Sequence, residues 1–265
     1  MKAVLLSAAL LAFSAPVSAD DLADAHKAWE SKDYARAFKA FSVLANAGNG
    51  VAQLQLGEMY GFGEGTTEDP VQAERWLKQA VASGVAEAPA SLMLVRERHA
   101  RKAEITYYTE RFDGAERAYS NYGCARPVIP AQSTSNAEIT AVNSAVSVWA
   151  ACHGRFVTDL NKALPAANTI SPTILKLMSN AEYQRANELI SKVYAKFADD
   201  AQRIADQVLA ENAAWKSATE KFAADNNEKL AGKIASDKAR FDRFNLEEQD
   251  AVQRRIDAAK GVRKQ

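Results

Sequence analysis

Beyond Asp20, apolar residues recur at three- and four-residue intervals along nearly the whole chain, the spacing that lines one face of a helix. Ala52, Leu56, Met59 and Tyr60 form one such stripe, which Gly61-Phe62-Gly63-Glu64-Gly65 interrupts. Glycines accept backbone angles that other residues avoid, so the run predicts a loop. A second helix is predicted after it, with Asp69 as its cap, Pro70 in its first turn and Gly84 closing it. Ala73, Trp76, Leu77, Ala80 and Val81 would be its buried face. Together the two stretches read as a helical hairpin.

The pattern repeats. Ala37, Gly48, Ala52 and Leu56 return as Ala73, Gly84, Ala88 and Leu92, each 36 residues later. One helix pair cannot bury both of its apolar faces alone, so a repeat of this length implies that pairs stack on one another. Upstream, Asp33 to Gly48 reads as the second helix of a preceding pair, with Leu22 to Trp29 as its first.

Later segments differ in character. His99 to Gly123 is aromatic and charged, spaced as another helix or two would space it. Pro127 to Asn136 is rich in Pro and small polar residues and reads as a linker. The expected division is 1–19, 20–123, a linker at 124–135, and 136–265. Asn136 is expected to cap a helix with Ile139, Val142, Val146, Trp149, Phe156 and Leu160 on its stripe, ending at Leu164-Pro165. Ser171-Pro172 opens a short turn, and Ser179-x-x-Glu182 has the form of a capping box.

From Leu189 to Phe222 a long apolar seam follows, and such a seam must meet a partner helix. A bend near Asp225-Asn226-Asn227, with Leu230, Ile234, Phe241, Phe244, Val252 and Ile256 returning, would supply that partner within the chain. Another chain would supply it otherwise. The dense mixed charge from Lys229 onward reads as a solvated helical face, and Gly261 with the basic tail Arg263-Lys264 is expected to fray.

Composition sharpens this picture. Alanine makes up about a fifth of the 265 residues, while Gly and Pro are scarce, which favours helix throughout. The 33 basic residues balance the 33 acidic ones, so no net field draws the chain to nucleic acid or anionic lipid. No basic stripe suits nucleic acid either. At the N-terminus, Lys2, an apolar run from Ala3 to Phe13 and Val17-Ser18-Ala19 have the form of a secretory signal peptide, cleaved after Ala19. The run is too short for a membrane-spanning helix of about 20 residues. The expected product is exported, periplasmic or secreted.

In that compartment Cys124 and Cys152 suggest one disulfide, with two separate buried thiols as the other reading. It would tie the segment after the repeats to the long helix carrying Cys152. Cys152-His153 is a lone neighbouring pair, and His26 and His99 have no ligand spacing, so no metal or other cofactor is expected. Adjacent helical positions point about 100° apart, which argues against a thiol–imidazole pair. The glycine loop resembles a phosphate loop only superficially, since no strand precedes it and no Lys-Ser/Thr follows. Catalytic residues are not expected and the chain does not read as an enzyme. Gln53, Gln55 and Glu58, polar and off the Leu56 stripe, are the candidate contact residues, weighed against ordinary solvated surface.

One family pattern fits. Ala52, Leu56-Gly57, Tyr60, Gly63-x-Gly65, Asp69, Ala73, Trp76, Ala80 and Gly84 resemble a Sel1-like repeat, a relative of the tetratricopeptide repeat (TPR). The resemblance covers about residues 22–95. Met93 stands where the family places Gly, so the third unit is degenerate. The resemblance implies a scaffold that binds a protein or peptide. The expected fold is all-α, a short Sel1/TPR-like α-solenoid followed by a long-helix domain arranged as a coiled-coil-like hairpin or bundle. A homo-oligomer through the C-terminal helices, or a holdase-like role for them, is the alternative.

Overall fold

The computed structural model describes residues 19–262, with side chains from Asp20 to Ile256. The expected signal segment lies outside the described residues except for Ala19, and so does Arg263-Lys264. The chain is all-α, with no strand among the described residues. Its contacts divide it into two compact units, one of residues 19–115 and 161–195, the other of 116–160 and 196–262. That division is discontinuous, whereas the pattern of the sequence suggested two continuous segments joined by a linker at 124–135.

The first unit begins with five helices of similar length: α1 (Ala19–Glu30), α2 (Tyr34–Asn46), α3 (Gly50–Phe62), α4 (Pro70–Ala82) and α5 (Ala88–Ala100). Each packs against its neighbour in sequence, and α3 also touches α5. The caps follow the local chemistry. Asp33 accepts from the amide of Arg36, Asn49 from that of Ala52, and Asp69 from those of Val71 and Gln72. Gly63 ends α3 in the left-handed region, at φ 70°. Gly65, at φ 71°, lies so close to the Tyr34 carbonyl that no Cβ could fit, which accounts for the glycine run structurally.

Small residues set the helix spacing. A Cβ on Gly57 would come within 2.6 Å of Leu77 Cγ, and one on Gly61 within 2.6 Å of Val95 Cγ2. The core divides around α3: Phe41, Leu44, Leu56 and Met59 fill one side, and Leu54, Ala73, Leu77 and Val95 the other. Beyond α5, the single or paired helix expected over 99–123 is instead the short α6 (Lys102–Thr106), a π turn at Tyr107–Arg111 and two 3-10 turns. Aromatic packing fixes this stretch, with Phe112 edge-on to Tyr194 and stacked near Tyr108. The unit is completed by α8 (Pro172–Leu177) and the first turns of α9 (Asn180–Val262), which carries Tyr194.

In the second unit, α7 (Asn136–Lys162) follows a coil at the Pro-rich stretch. Its first-turn cap is Ser135, which accepts from the Glu138 amide at 3.3 Å; Asn136, the residue expected to cap it, is already helical. The stripe of α7 is buried at Val142, Trp149, Cys152, Phe156 and Leu160. Trp149 packs with Ala205 and Val208 of α9, while Ser133 meets Trp215 and Thr219 of the same helix through hydrogen bonds of 2.9 Å. Cys124 and Cys152 are disulfide-bonded, with sulfurs 2.02 Å apart.

The bend and return expected at Asp225-Asn226-Asn227 do not occur, because α9 is continuous through its 83 residues. Asn and Asp cost only some tenths of a kcal/mol each inside a helix, too little to break a long one. Leu230, Ile234, Phe241, Phe244, Val252 and Ile256 are therefore exposed rather than folded back.

Candidate functional site

The three polar side chains nominated on α3 have different fates. Gln53 is not surface at all. It is 7% exposed, its Nε2 donates to the Ala45 carbonyl at 3.3 Å, and its Oε1 accepts from Ser83 Oγ at 3.0 Å. It belongs to the packing between helices, because α3 contacts α2, α4 and α5 and has little free circumference. Gln55 and Glu58 do reach a concave surface. With Trp29, Met59, Phe62 and Met178 they line a depression of about 260 Å³.

A second cleft of about 440 Å³ shares Phe62, Glu64, Ser179 and Asn180 with the first, so the two form one continuous face of this unit. Lys32, Tyr34 and Arg185 extend it. Trp29 Nε1 donates to Glu64 Oε2 at 3.3 Å. Glu58 is half-buried, and that burial raises its carboxyl above the ordinary range; the Ser91 hydroxyl, which donates to it, opposes the shift, and Glu64 adds to it. The face thus offers the aromatic surface of Trp29 and Phe62 beside carboxylates and amides, with Met59 and Met178 buried at its floor.

What anchors this face is a residue that the apolar periodicity passed over. Arg98, on α5, is 1% exposed. All five of its N–H donors are used. Nε donates to the Gly61 carbonyl at 2.8 Å, and Nη1 to the Leu177 carbonyl and to Glu182 Oε2 at 2.6 and 2.7 Å. Nη2 donates to Glu68 Oε2 and Glu182 Oε1, each at 2.9 Å. The guanidinium also sits 4.9 Å from the Phe62 ring centroid, within cation–π reach. Lys102 Nζ bridges the same carboxylates, at 2.6 Å from Glu68 and 3.0 Å from Glu182.

Two cations and two carboxylates make a neutral, saturated cluster. Burial alone would raise the Glu182 carboxyl, but the hydrogen bonds from Arg98, the Ser179 amide and Lys102, with the charge of Arg98, outweigh it and hold the group at about 2. Arg98 is likewise held firmly protonated, its two carboxylate partners overcoming its burial. Glu182 is also the far member of the capping box. Its carboxylate accepts from the Ser179 amide at 2.9 Å, while Ser179 Oγ accepts from the Glu182 amide at 3.2 Å. One carboxylate therefore caps α9 and fastens it to α5, fixing Ser179 and Asn180 at the rim of the concave face.

The other chemical candidates have structural roles. Cys152 is bonded to Cys124, and His153 Nε2 lies 3.2 Å from the Ala201 carbonyl. Among the described residues no group of three or more His, Cys, Asp or Glu side chains is arranged to hold a metal ion. No helix among them is long and apolar enough to cross a membrane. No family model, curated protein or solved structure matches the chain.

Proposed function

We propose that this chain is an exported, non-enzymatic adaptor whose first unit is a short Sel1-like solenoid that holds a protein or peptide partner on its concave face. The observation that carries the reading is the face itself: the aromatic surface of Trp29 and Phe62 beside Gln55, Glu58 and Glu64, on a unit braced by the Arg98 cluster. Apolar anchors within a polar surround are what a protein interface uses, and a preformed site loses less entropy on binding. The disulfide and the absence of a membrane-spanning helix among the described residues are compatible with export.

A second reading gives the main role to the C-terminal part of α9. Its exposed Leu230, Ile234, Phe241 and Phe244 favour an oligomerising or holdase-like element that covers apolar surface. Quantitative capture from periplasmic extract separates the two. The adaptor yields one stoichiometric partner, lost from Q55A/E58A and retained by F241E/F244E. A holdase yields many unfolded clients, with the opposite response to the two variants.

A further inference from the structure

Past Ala223 the apolar face of α9 continues with no covering helix in its own unit. Phe241 is 63% and Phe244 59% exposed, and Leu230, Ile234, Val252 and Ile256 are uncovered on the same side. This stripe extends the face that upstream buries Val208, Trp215 and Thr219 against the segment from Cys124 to Trp149. Leu230, Phe241 and Val252 are separated by 11 residues each, and Ile234 and Ile256 by 22. An 11-residue apolar period keeps one seam facing a partner in a helix pair of slight right-handed twist.

The charges decide what the partner is. From Lys229 to Arg243 five basic and two acidic residues give a net +3, and Glu247, Glu248 and Asp250 give −3. Side by side in parallel, two copies would set like charge on like. Antiparallel, the basic stretch of each copy faces the acidic stretch of the other. A two-fold axis near residue 243 pairs Leu230 with Ile256, Ile234 with Val252 and Lys238 with Glu248, the positions in each pair summing to the same number. Four of the six apolar positions and one charged pair are thus matched by the two-fold, with Phe241 and Phe244 flanking the axis. From Leu230 to Ile256 the seam is about 40 Å long at 1.5 Å per residue. A strip about 15–20 Å wide would bury about 600–800 Å² per copy, reaching the range of specific interfaces. Residues 230–256 carry six basic and five acidic side chains, net +1, too little to draw the helix to anionic lipid.

We infer that the exposed stripe of α9 pairs antiparallel with the same stripe of a second copy of this chain, with Phe241 and Phe244 near the two-fold axis. The inference rests on the second of the two readings above and is independent of what the concave face binds. The test is sedimentation of the full chain at about 50 µM, since interfaces of this size bind at micromolar strength or better. The wild type should sediment at twice the monomer mass. F241E/F244E, altering exposed positions only, should keep its helical circular dichroism and weaken association at least tenfold.

Because both native cysteines are bonded, Glu228→Cys supplies the only free thiol for a spin label on the side away from the stripe. Antiparallel pairing should separate the two labels by about 45 Å along the axis, and parallel pairing would leave them under about 25 Å. A monomer at that concentration, a dimer indifferent to F241E/F244E, or a short label distance overturns the inference. So does a monomer that binds phosphatidylglycerol vesicles through the same phenylalanines. Partner capture by the concave face would survive each of these results.

Discussion

Glu182→Gln isolates the charge at the centre of the Arg98 cluster. Gln keeps the capping box, because its amide oxygen still accepts from the Ser179 amide, and it leaves the side-chain volume unchanged. What it removes is the buried negative charge facing Arg98 Nη1 and Nη2. The native carboxyl is held at about 2, against an ordinary value of 4.5. At about 1.4 kcal/mol per pH unit, that difference corresponds to on the order of 3 kcal/mol of stability at neutral pH. Breaking one member of a buried, hydrogen-bonded ion pair costs about 3–5 kcal/mol, which agrees.

The pH dependence has a definite sign. A lowered folded value means that the contribution is complete above the unfolded value near 4.5 and is lost as the pH falls toward 2. Urea unfolding followed by circular dichroism should therefore show wild type losing most of its advantage over Glu182→Gln between those limits. Glu58, with its raised carboxyl, acts in the opposite direction in both proteins and cancels in the difference. A loss below about 1 kcal/mol at pH 7, or a difference that stays constant down to acid pH, would refute the view that this pair fastens α9 to α5.

Gly57→Ala should destabilise the first unit by about 1–3 kcal/mol, since its Cβ would lie 2.6 Å from Leu77 Cγ. The matched control Gly154→Ala, with open space around it on α7, should stabilise by about 0.5–1 kcal/mol in the same thermal melts. Gln53→Ala should cost about 1–3 kcal/mol by leaving the Ser83 hydroxyl without its acceptor and removing a buried bond to the Ala45 carbonyl, whereas Gln55→Ala should stay within about 0.5 kcal/mol. Replacing both cysteines by Ala opens a link of sequence separation 28 and should lower stability by about 3.5 kcal/mol in the chain-entropy model, read as a shift in urea midpoint.

Where local chemistry determines structure, the sequence was a sufficient guide. The Asp69 cap, the left-handed Gly63, the Ser171 cap before Pro172 and the Ser179–Glu182 box all form as the residue types demand. Arg98 escaped because its role depends on four partners between 30 and 84 positions away. A trace of it was nevertheless present. Ala88, Ser91, Val95 and Arg98 are the buried positions of α5, so a cation occupies the apolar stripe of that helix and calls for an anion. Gln53 was misplaced for a related reason: polarity off the Leu56 stripe implies solvent only when a helix has one packed face, and α3 has several. The return of α9 was one of two ways to cover the apolar seam, the other being a second chain, and the local residue pattern does not distinguish them.

The adaptor reading is tested most directly by photo-crosslinking from single positions of the full chain in its native compartment. A benzophenone side chain at Gln55, on the concave face, should give one dominant protein adduct. The same group at Val71, 75% exposed on α4 and outside that face, should give none. Adducts of equal yield from both positions, or none from Gln55 while Phe241 gives many, would contradict the account.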